Sequence, residues 1–178
     1  EEPQMQLDHI TSSWAHVYAS QDFMVLAEPA NDWWWFWRNF DWDDATNIHV
    51  FDISDPSETT YLASGRVDGT VQDQFSISEY NGVIRVATTE DAWGRWWLEG
   101  TEEWNGPTNN VFTLEVSESC TGTAEFTYAG QTMCSTSECI VDSSELIQLG
   151  HIGDIAPNER IWSARFVGDR AYLVTFET

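Results

Sequence analysis

Tryptophans are the residues of this sequence whose number and spacing most directly suggest a binding chemistry. Nine of the eleven lie in two segments, residues 29–45 and 90–109, together with several carboxylates. Indole faces beside carboxylates suit sugar rings or cationic groups. The candidate ligand-binding residues are Trp33, Trp34, Trp35, Trp37, Trp42, Trp93, Trp96 and Trp97, with Trp104 in the same segment as the last three.

Two interpretations of this aromatic cluster remain open. An exposed aromatic patch of this size would be a binding surface for a glycan or a protein. Alternatively, the two segments bury their indoles against each other as a satellite core that stiffens both loops and covers one face of the fold. The five consecutive aromatic residues at positions 33–37 cannot all point one way, so some of them must be buried in either case.

An acidic run beside the first tryptophan group is a candidate cation site. Asp41, Asp43 and Asp44 could offer the hard oxygen ligands that calcium prefers. The run lacks the glycine and the terminal glutamate of an EF-hand loop, and a solvated charge run is the competing interpretation. No other cofactor is expected.

The three cysteines, Cys120, Cys134 and Cys139, lie within one Ser/Thr/Gly-rich insertion, residues 118–144. Their spacing matches no zinc ribbon or finger, so we expect one disulfide that closes a long loop. A disulfide favours an oxidising compartment. The third thiol is then free or pairs outside the segment.

Sequence motifs for catalysis are missing. The chain contains no Gly-x-Ser-x-Gly elbow, no His-Glu-x-x-His and no lysine for a phosphate-binding loop. The four histidines, His9, His16, His49 and His151, are isolated in sequence, and we interpret them as structural. The expected function is therefore a non-enzymatic recognition or scaffold module. The alternative is a glycan-active hydrolase whose catalytic acids lie beside the tryptophans.

The elements that must position these residues are short β-strands. Runs rich in Val, Ile, Tyr, Phe and Thr recur between turn residues, and helical periodicity is almost absent. The Asn81-Gly82 pair between two such runs predicts a β-hairpin. The same hairpin pattern occurs at residues 18–28, 78–89 and 166–177.

A four-strand unit repeated in series predicts an all-β fold, namely a partial β-propeller of about two and a half antiparallel blades. We expect residues 1–13 to be a poorly ordered lead-in and residues 14–178 to be the propeller domain. Its blades are expected at 14–69 and 74–153, with the start of the next blade at 160–178.

The alternation of strand direction predicts where the insertions lie. Segments 29–45 and 90–109 both join the second strand of a blade to the third, so they should meet on one face. The cysteine insertion joins a third strand to a fourth and should lie on the opposite face. An incomplete ring leaves an open edge, so we expect the remainder of the propeller, or symmetry copies of the chain, to cover it.

Four segments carry a resemblance to a known family. Residues 47–54 (NIHVFDIS), 61–69, 73–89 and 159–176 resemble secreted bacterial and archaeal proteins with a large C-terminal β-propeller domain. The resemblance covers most of residues 14–178 and excludes the tryptophan-rich and cysteine-rich insertions. It implies a propeller fold and an extracellular or periplasmic location, without a defined reaction, and it implies that the chain is an internal part of a longer domain.

The charge balance narrows the possible partners. The chain has 30 acidic residues against 7 basic ones, all arginines, and a net charge of −23. Such a surface repels nucleic-acid phosphate and anionic lipid, and we expect neither nucleic-acid binding nor membrane insertion. The acidity and the loss of lysine suit a halophilic or marine setting, where salt screens the repulsion. An acidic extracellular protein from an ordinary habitat is the other interpretation.

Overall fold

The computed structural model describes residues 10, 14–30, 44–91, 106–117, 125–128, 131–134 and 145–177. Within these ranges the regular structure consists of strands and one short 3-10 turn, Gln74–Ser76. No helix of these ranges is long and apolar enough to cross a membrane. The strands are β1 (His16–Ala19), β2 (Phe23–Pro29), β3 (Ala45–Asp52), β4 (Thr60–Asp68), β5 (Thr70–Val71), β6 (Ile77–Tyr80), β7 (Val83–Glu90), β8 (Thr108–Val116), β9 (Glu125–Tyr128), β10 (Gln131–Cys134), β11 (Leu146–Ile155), β12 (Glu159–Val167) and β13 (Arg170–Glu177).

The first sheet is a four-stranded antiparallel meander in the order β1-β2-β3-β4. Its first turn is tight because the Ser20 hydroxyl accepts a hydrogen bond from Phe23 N at 3.0 Å. Alternate residues of β2 and β3, among them Val25, Ile48 and Val50, are fully buried. One apolar face of this sheet therefore packs against the rest of the protein.

The second sheet has the neighbours β6-β7-β8-β11, again antiparallel. Its first hairpin confirms the prediction at Asn81-Gly82: Tyr80 pairs with Val83, and both turn residues have a positive φ, 54° and 81°. Positive φ at both central positions is the geometry that favours the Asn-Gly pair. The prediction of an all-β fold built from four-stranded antiparallel blades is confirmed.

The first edge of the second sheet is formed by two short strands, β5 and β6, which the sequence pattern did not indicate. Both β5 and β6 pair with β7, at its end and at its start. Between them lies the 3-10 turn, whose N-cap Asp73 accepts hydrogen bonds from Phe75 N and Ser76 N. The capped turn shifts the chain out of the sheet and exposes Phe75.

Two further hairpins complete the described structure. β12 and β13 form the terminal hairpin, with a register shift between Ile161 and Ser163. β9 and β10 pair within the cysteine insertion, where the sequence indicated a long loop. Cys134 is the last residue of β10, whereas Cys120 and Cys139 lie outside the described residues, so the predicted disulfide stays a prediction.

The core consists of two interfaces of different character. Between the first and second sheets lies a large apolar cluster that includes Ile48, Ile84 and Phe112. Between the second sheet and the terminal hairpin, the described buried apolar residues are Ala87, Ile161 and Ala164. This smaller interface contains a buried asparagine, Asn109, as well.

Asn109 is fully buried and forms a polar link between the second sheet and the terminal hairpin. Its Nδ2 donates to Ile155 O at 2.8 Å and to Glu159 O at 2.9 Å. Its Oδ1 accepts from the Thr89 hydroxyl at 2.7 Å and from Ile161 N at 3.1 Å. The amide thus has partners at both ends, as a buried polar group requires.

Candidate functional site

Most of the predicted site lies outside the described residues. This is so for Trp33, Trp34, Trp35, Trp37, Trp42, Trp93, Trp96, Trp97, Asp41 and Asp43. Asp44, the last of the three candidate calcium ligands, is described and directly precedes β3. The strand ends that hold the two tryptophan segments are described too, and they define the base of the candidate site.

Each tryptophan segment connects two paired strand ends. In the first sheet Pro29 pairs with Thr46, and Ala30 N donates to Ala45 O at 2.8 Å. In the second sheet Glu90 pairs with Thr108. Both segments therefore leave and re-enter neighbouring antiparallel strands, β2 and β3 in one case and β7 and β8 in the other.

Gly69 brings these two bases together. Its N–H donates to Asp44 O at 2.6 Å, and its own carbonyl accepts from the Thr46 hydroxyl at 2.7 Å. On its other side, a Cβ at position 69 would lie 2.9 Å from Thr89 C and 3.0 Å from Glu90 N. Since Gly69 also has φ +82°, glycine suits this position on two counts. Gly69 thus contacts both the end of the first tryptophan segment and the start of the second.

Two threonine hydroxyls add to this junction. Thr88 donates to Asp68 O at 2.6 Å, and Thr70 donates to Thr89 O at 3.1 Å. Both bonds join the chain before or after Gly69 to β7. The junction at Gly69 is therefore fixed by a backbone hydrogen bond to Asp44 and by hydroxyl-to-carbonyl bonds to and from β7.

A polar chain of three side chains begins at the base of the second segment. Asn110 Nδ2 donates to Glu90 Oε1 at 2.6 Å, and Asn110 Oδ1 lies 2.8 Å from His151 Nε2. Because the carboxylate needs a donor, Glu90 fixes the orientation of the Asn110 amide. The amide oxygen can only accept, so His151 carries its proton on Nε2.

The His151 ring is also held by stacking. It lies parallel to the Phe112 ring, with 4.5 Å between centroids. Phe112 is buried in the large apolar cluster, so the exposed imidazole rests on the core. A ring oriented in this way presents Nδ1 as its available lone pair, which suits ligand binding or proton transfer. Sequence reasoning interpreted this histidine as structural, because its partners Phe112 and Asn110 are 39 and 41 residues away in sequence.

A second polar group lies on the first sheet. His49 Nε2 lies 3.4 Å from Glu28 Oε1, and His49 Nδ1 lies 3.3 Å from the Tyr61 hydroxyl. These residues belong to the neighbouring strands β2, β3 and β4. Within the described part of the chain, no group of three or more His, Cys, Asp or Glu side chains could hold a metal ion. The calcium prediction, two of whose residues lie elsewhere, stays a prediction.

Among the described residues, the titratable groups with shifted pKa values lie away from the base of the tryptophan segments. Hydrogen bonds from Ser54 lower the pKa of Asp52, and those from Ser57 lower the pKa of Asp55. Burial lowers the pKa of His16, against a weaker opposing effect of Asp73. Neither aspartate has the raised pKa that a general acid needs at neutral pH.

Comparison with known proteins decides the family. A family model described as a beta propeller domain matches residues 1–178, the whole chain. The chain belongs to the β-propeller domain family. This β-propeller sequence has no significant match among solved structures.

Two uncharacterized archaeal proteins are similar to this β-propeller chain. One, from Methanocaldococcus jannaschii, is 26% identical over 141 residues, which are 79% of this chain and 16% of the relative. The other, from Archaeoglobus fulgidus, is 28% identical over 149 residues, 82% of this chain and 17% of the relative. The match thus spans about a sixth of the length of these relatives.

Proposed function

We propose that this β-propeller chain is a recognition or scaffold module whose contact surface is formed by the two tryptophan segments. The junction at Gly69 is the observation that carries the proposal. It holds Asp44 and Glu90, one residue from each segment base, against the same glycine. Two segments that start from adjoining bases can present their indoles to one ligand.

The chemistry of the segments supports a glycan or protein ligand. Nine tryptophans and the carboxylates between them offer apolar faces and hydrogen-bond acceptors together. Aromatic faces stack on the apolar faces of sugar rings, and acceptors bind the hydroxyls at the ring edge. At the base, Glu90, Asn110 and His151 add an ordered set of polar atoms.

Intrinsic tryptophan fluorescence tests this proposal. The chain is titrated with a panel of neutral and acidic polysaccharides, and separately with calcium. We expect a saturable change with at least one polysaccharide, and we expect W35A and W97A each to weaken it. W162A is the matched control, since Trp162 lies on β12 outside both segments. The proposed surface is contradicted if no polysaccharide changes the fluorescence. It is also contradicted if a saturable change persists unaltered in W35A and W97A.

We further propose that the protein works outside the cytoplasm, with one disulfide among Cys120, Cys134 and Cys139. The clustered cysteines and the net charge of −23 support this. Mass spectrometry after thiol alkylation without reductant should find one alkylated cysteine per chain. Three alkylated cysteines in protein taken from its native compartment would contradict it.

The terminal hairpin offers a surface for a neighbouring blade of the parent protein. Its outer face carries Trp162 and Phe176, whose rings meet edge to face at 6.2 Å. Both are more than half exposed, as is Tyr172. We propose that a further part of the longer polypeptide covers this face. A polypeptide extended by the next segment should protect Trp162 from iodide quenching, and equal quenching would contradict the proposal. If iodide quenching of Trp162 instead decreases as the concentration of the 178-residue chain is raised, a second copy of the chain covers the face.

A further inference from the structure

A pocket of about 390 Å³ lies between β1, the 3-10 turn with β6, and β12. It is lined by residues 17–19 of β1, by Gln74 and Phe75 of the 3-10 turn, by residues 77 and 78 of β6, and by Arg165 and Phe166 of β12. Six of the nine described lining residues are apolar or aromatic, one is the cation Arg165, and none is a carboxylate. Its volume is at the small end of ligand-binding pockets.

The 3-10 turn between β5 and β6 forms one wall of this pocket. Asp73 caps the 3-10 turn, and the turn exposes the Phe75 side chain. The Arg165 guanidinium lies over the Phe75 ring at 4.0 Å from its centroid. Stacking on an aromatic face leaves the edge of a guanidinium open for two parallel hydrogen bonds.

Arg165 has hydrogen-bond donors to spare. Its Nη1 donates to Ala164 O at 2.6 Å and lies 3.4 Å from the Ser163 hydroxyl. In the part of the chain that the structure describes, Nε and Nη2 of Arg165 make no hydrogen bond, and the two ion pairs there join His49 to Glu28 and Arg170 to Asp169. The Arg165 side chain is exposed, so these donors are available to a ligand.

A second arginine fixes the far wall. Arg85 stacks on Phe166 at 4.9 Å, and donates to Gly168 O at 2.5 Å and to the Ser78 hydroxyl at 2.8 Å. These contacts join β6, β7 and β12, so they hold the lining residues Ser78 and Phe166 in position. The pocket is therefore built from tertiary contacts and does not depend on one flexible loop.

Local charge at this site opposes the charge of the whole protein. The net charge of −23 repels an approaching anion. At physiological salt that repulsion is screened beyond about 8 Å, whereas a guanidinium in direct contact is screened far less. Contact with Arg165 can thus outweigh distant carboxylates, and none of the described lining residues carries a carboxylate that would compete directly.

We propose that this pocket binds a small carboxylate with an aromatic or similarly flat apolar body. The carboxylate pairs with the open edge of Arg165, and the body packs on Phe75, Phe166 and Tyr18. The Arg165 guanidinium complements the carboxylate in charge, and the aromatic lining residues complement the apolar body of the ligand. The described residues of the tryptophan segments, 29–30, 44–45, 90–91 and 106–109, do not line this pocket.

The test uses benzoate as probe and benzamide, its uncharged analogue, as control. We expect saturable shifts of the Phe75 ring and Arg165 guanidinium NMR signals, with a Kd on the order of millimolar for so small a ligand. Benzamide should bind at least about tenfold more weakly, because it lacks the charge-assisted pair.

Two arginine variants make the test specific. R165Q should weaken benzoate binding about tenfold or more. R160Q is the matched control, because Arg160 also lies on β12 and stacks on an aromatic ring, Trp162, but does not line the pocket. It should leave the Kd within about twofold. F75L keeps the charge, removes the stacking surface, and should weaken binding severalfold.

Three results would overturn the proposal. One is the absence of saturable shifts at the pocket with benzoate. Another is equal affinity for benzoate and benzamide, which would mean that the charge has no role. The third is an R165Q protein that keeps the dispersed spectrum of the parent and the same Kd. If R165Q fails to fold, F75L and the benzamide comparison decide the question.

Discussion

Replacing Asn109 by alanine should remove the polar link between the second sheet and the terminal hairpin. The side chain makes hydrogen bonds to Ile155 O, Glu159 O and Ile161 N, and to the Thr89 hydroxyl. After truncation, Ile161 N keeps the Thr89 hydroxyl at 3.2 Å as acceptor. The carbonyls of Ile155 and Glu159 lose the Asn109 amide donor.

The cost can be worked out from these partners. Each buried polar group left without a partner costs about 1–3 kcal/mol. With two carbonyls affected, and both only partly enclosed, we expect N109A to lower the free energy of unfolding by about 3 kcal/mol. Against a total of about 5–15 kcal/mol for a domain, this is a large loss. At a urea m-value of about 2 kcal/mol/M, the midpoint should fall by about 1.5 M.

Urea unfolding followed by circular dichroism measures this shift. N47A is the matched control, since Asn47 is also a strand asparagine but makes a single 3.5 Å hydrogen bond, to Glu28. It should lose less than about 1 kcal/mol. The double variant T89V/N109A should be less destabilised than the sum of the single variants, because both side chains belong to one network. An N109A midpoint equal to that of N47A would refute the reasoning.

Three further predictions concern single positions. G69A should lower the free energy of unfolding by more than about 2 kcal/mol, because a Cβ at this position would collide with backbone atoms. G82A also places alanine at a positive φ but has open space around it, so it should cost about 1 kcal/mol. Equal losses of the two variants in thermal unfolding would contradict this. Because burial lowers the pKa of His16, the unfolded chain binds that proton more tightly, and stability should fall as the pH drops below 6.5. H16Q should flatten that slope in urea titrations at stepped pH, and an unchanged slope would contradict it. E90Q should no longer fix the orientation of the Asn110 amide, because a glutamine can both donate and accept. The ¹⁵N spectrum of the His151 ring should then change from one Nε2–H tautomer to a mixture, and an unaltered spectrum would contradict the orienting role of Glu90.

Local sequence patterns were sufficient for the strands and hairpins. Alternating β-branched residues and the Asn81-Gly82 turn act over a few residues, so the paired strands β6 and β7 could be read directly. The interruption between β5 and β6 could not, because Asp73 is an ordinary acidic residue until its side chain caps the turn. The hairpin in the cysteine insertion was missed because its strands are only four residues long and lie within a segment rich in Ser, Thr and Gly.

The functional groups were harder to predict because their partners are distant in sequence. His151 and Glu90 are joined through Asn110, and Arg165 meets Phe75 across 90 residues of chain. Residue type alone made the tryptophans conspicuous and left these pairs unnoticed. The tryptophan segments themselves are connected to the described structure through their bases, and the junction at Gly69 could not be seen in the sequence because its close neighbours come from β7.

The unequal interfaces of the core have a consequence for how the molecule opens. The first two sheets share an extensive apolar cluster, whereas the buried apolar residues at the terminal hairpin are, in the described structure, two alanines and one isoleucine. Polar and cation–π contacts of Asn109, Arg85 and Arg165 supply much of the remaining attachment. Directional bonds break over a small displacement, while apolar contact weakens gradually with distance. The terminal hairpin should therefore detach as a unit while the first two sheets remain associated. Amide protons of β12 and β13 should then exchange with solvent through this partial opening, whereas those of β3 and β7 should exchange only through complete unfolding.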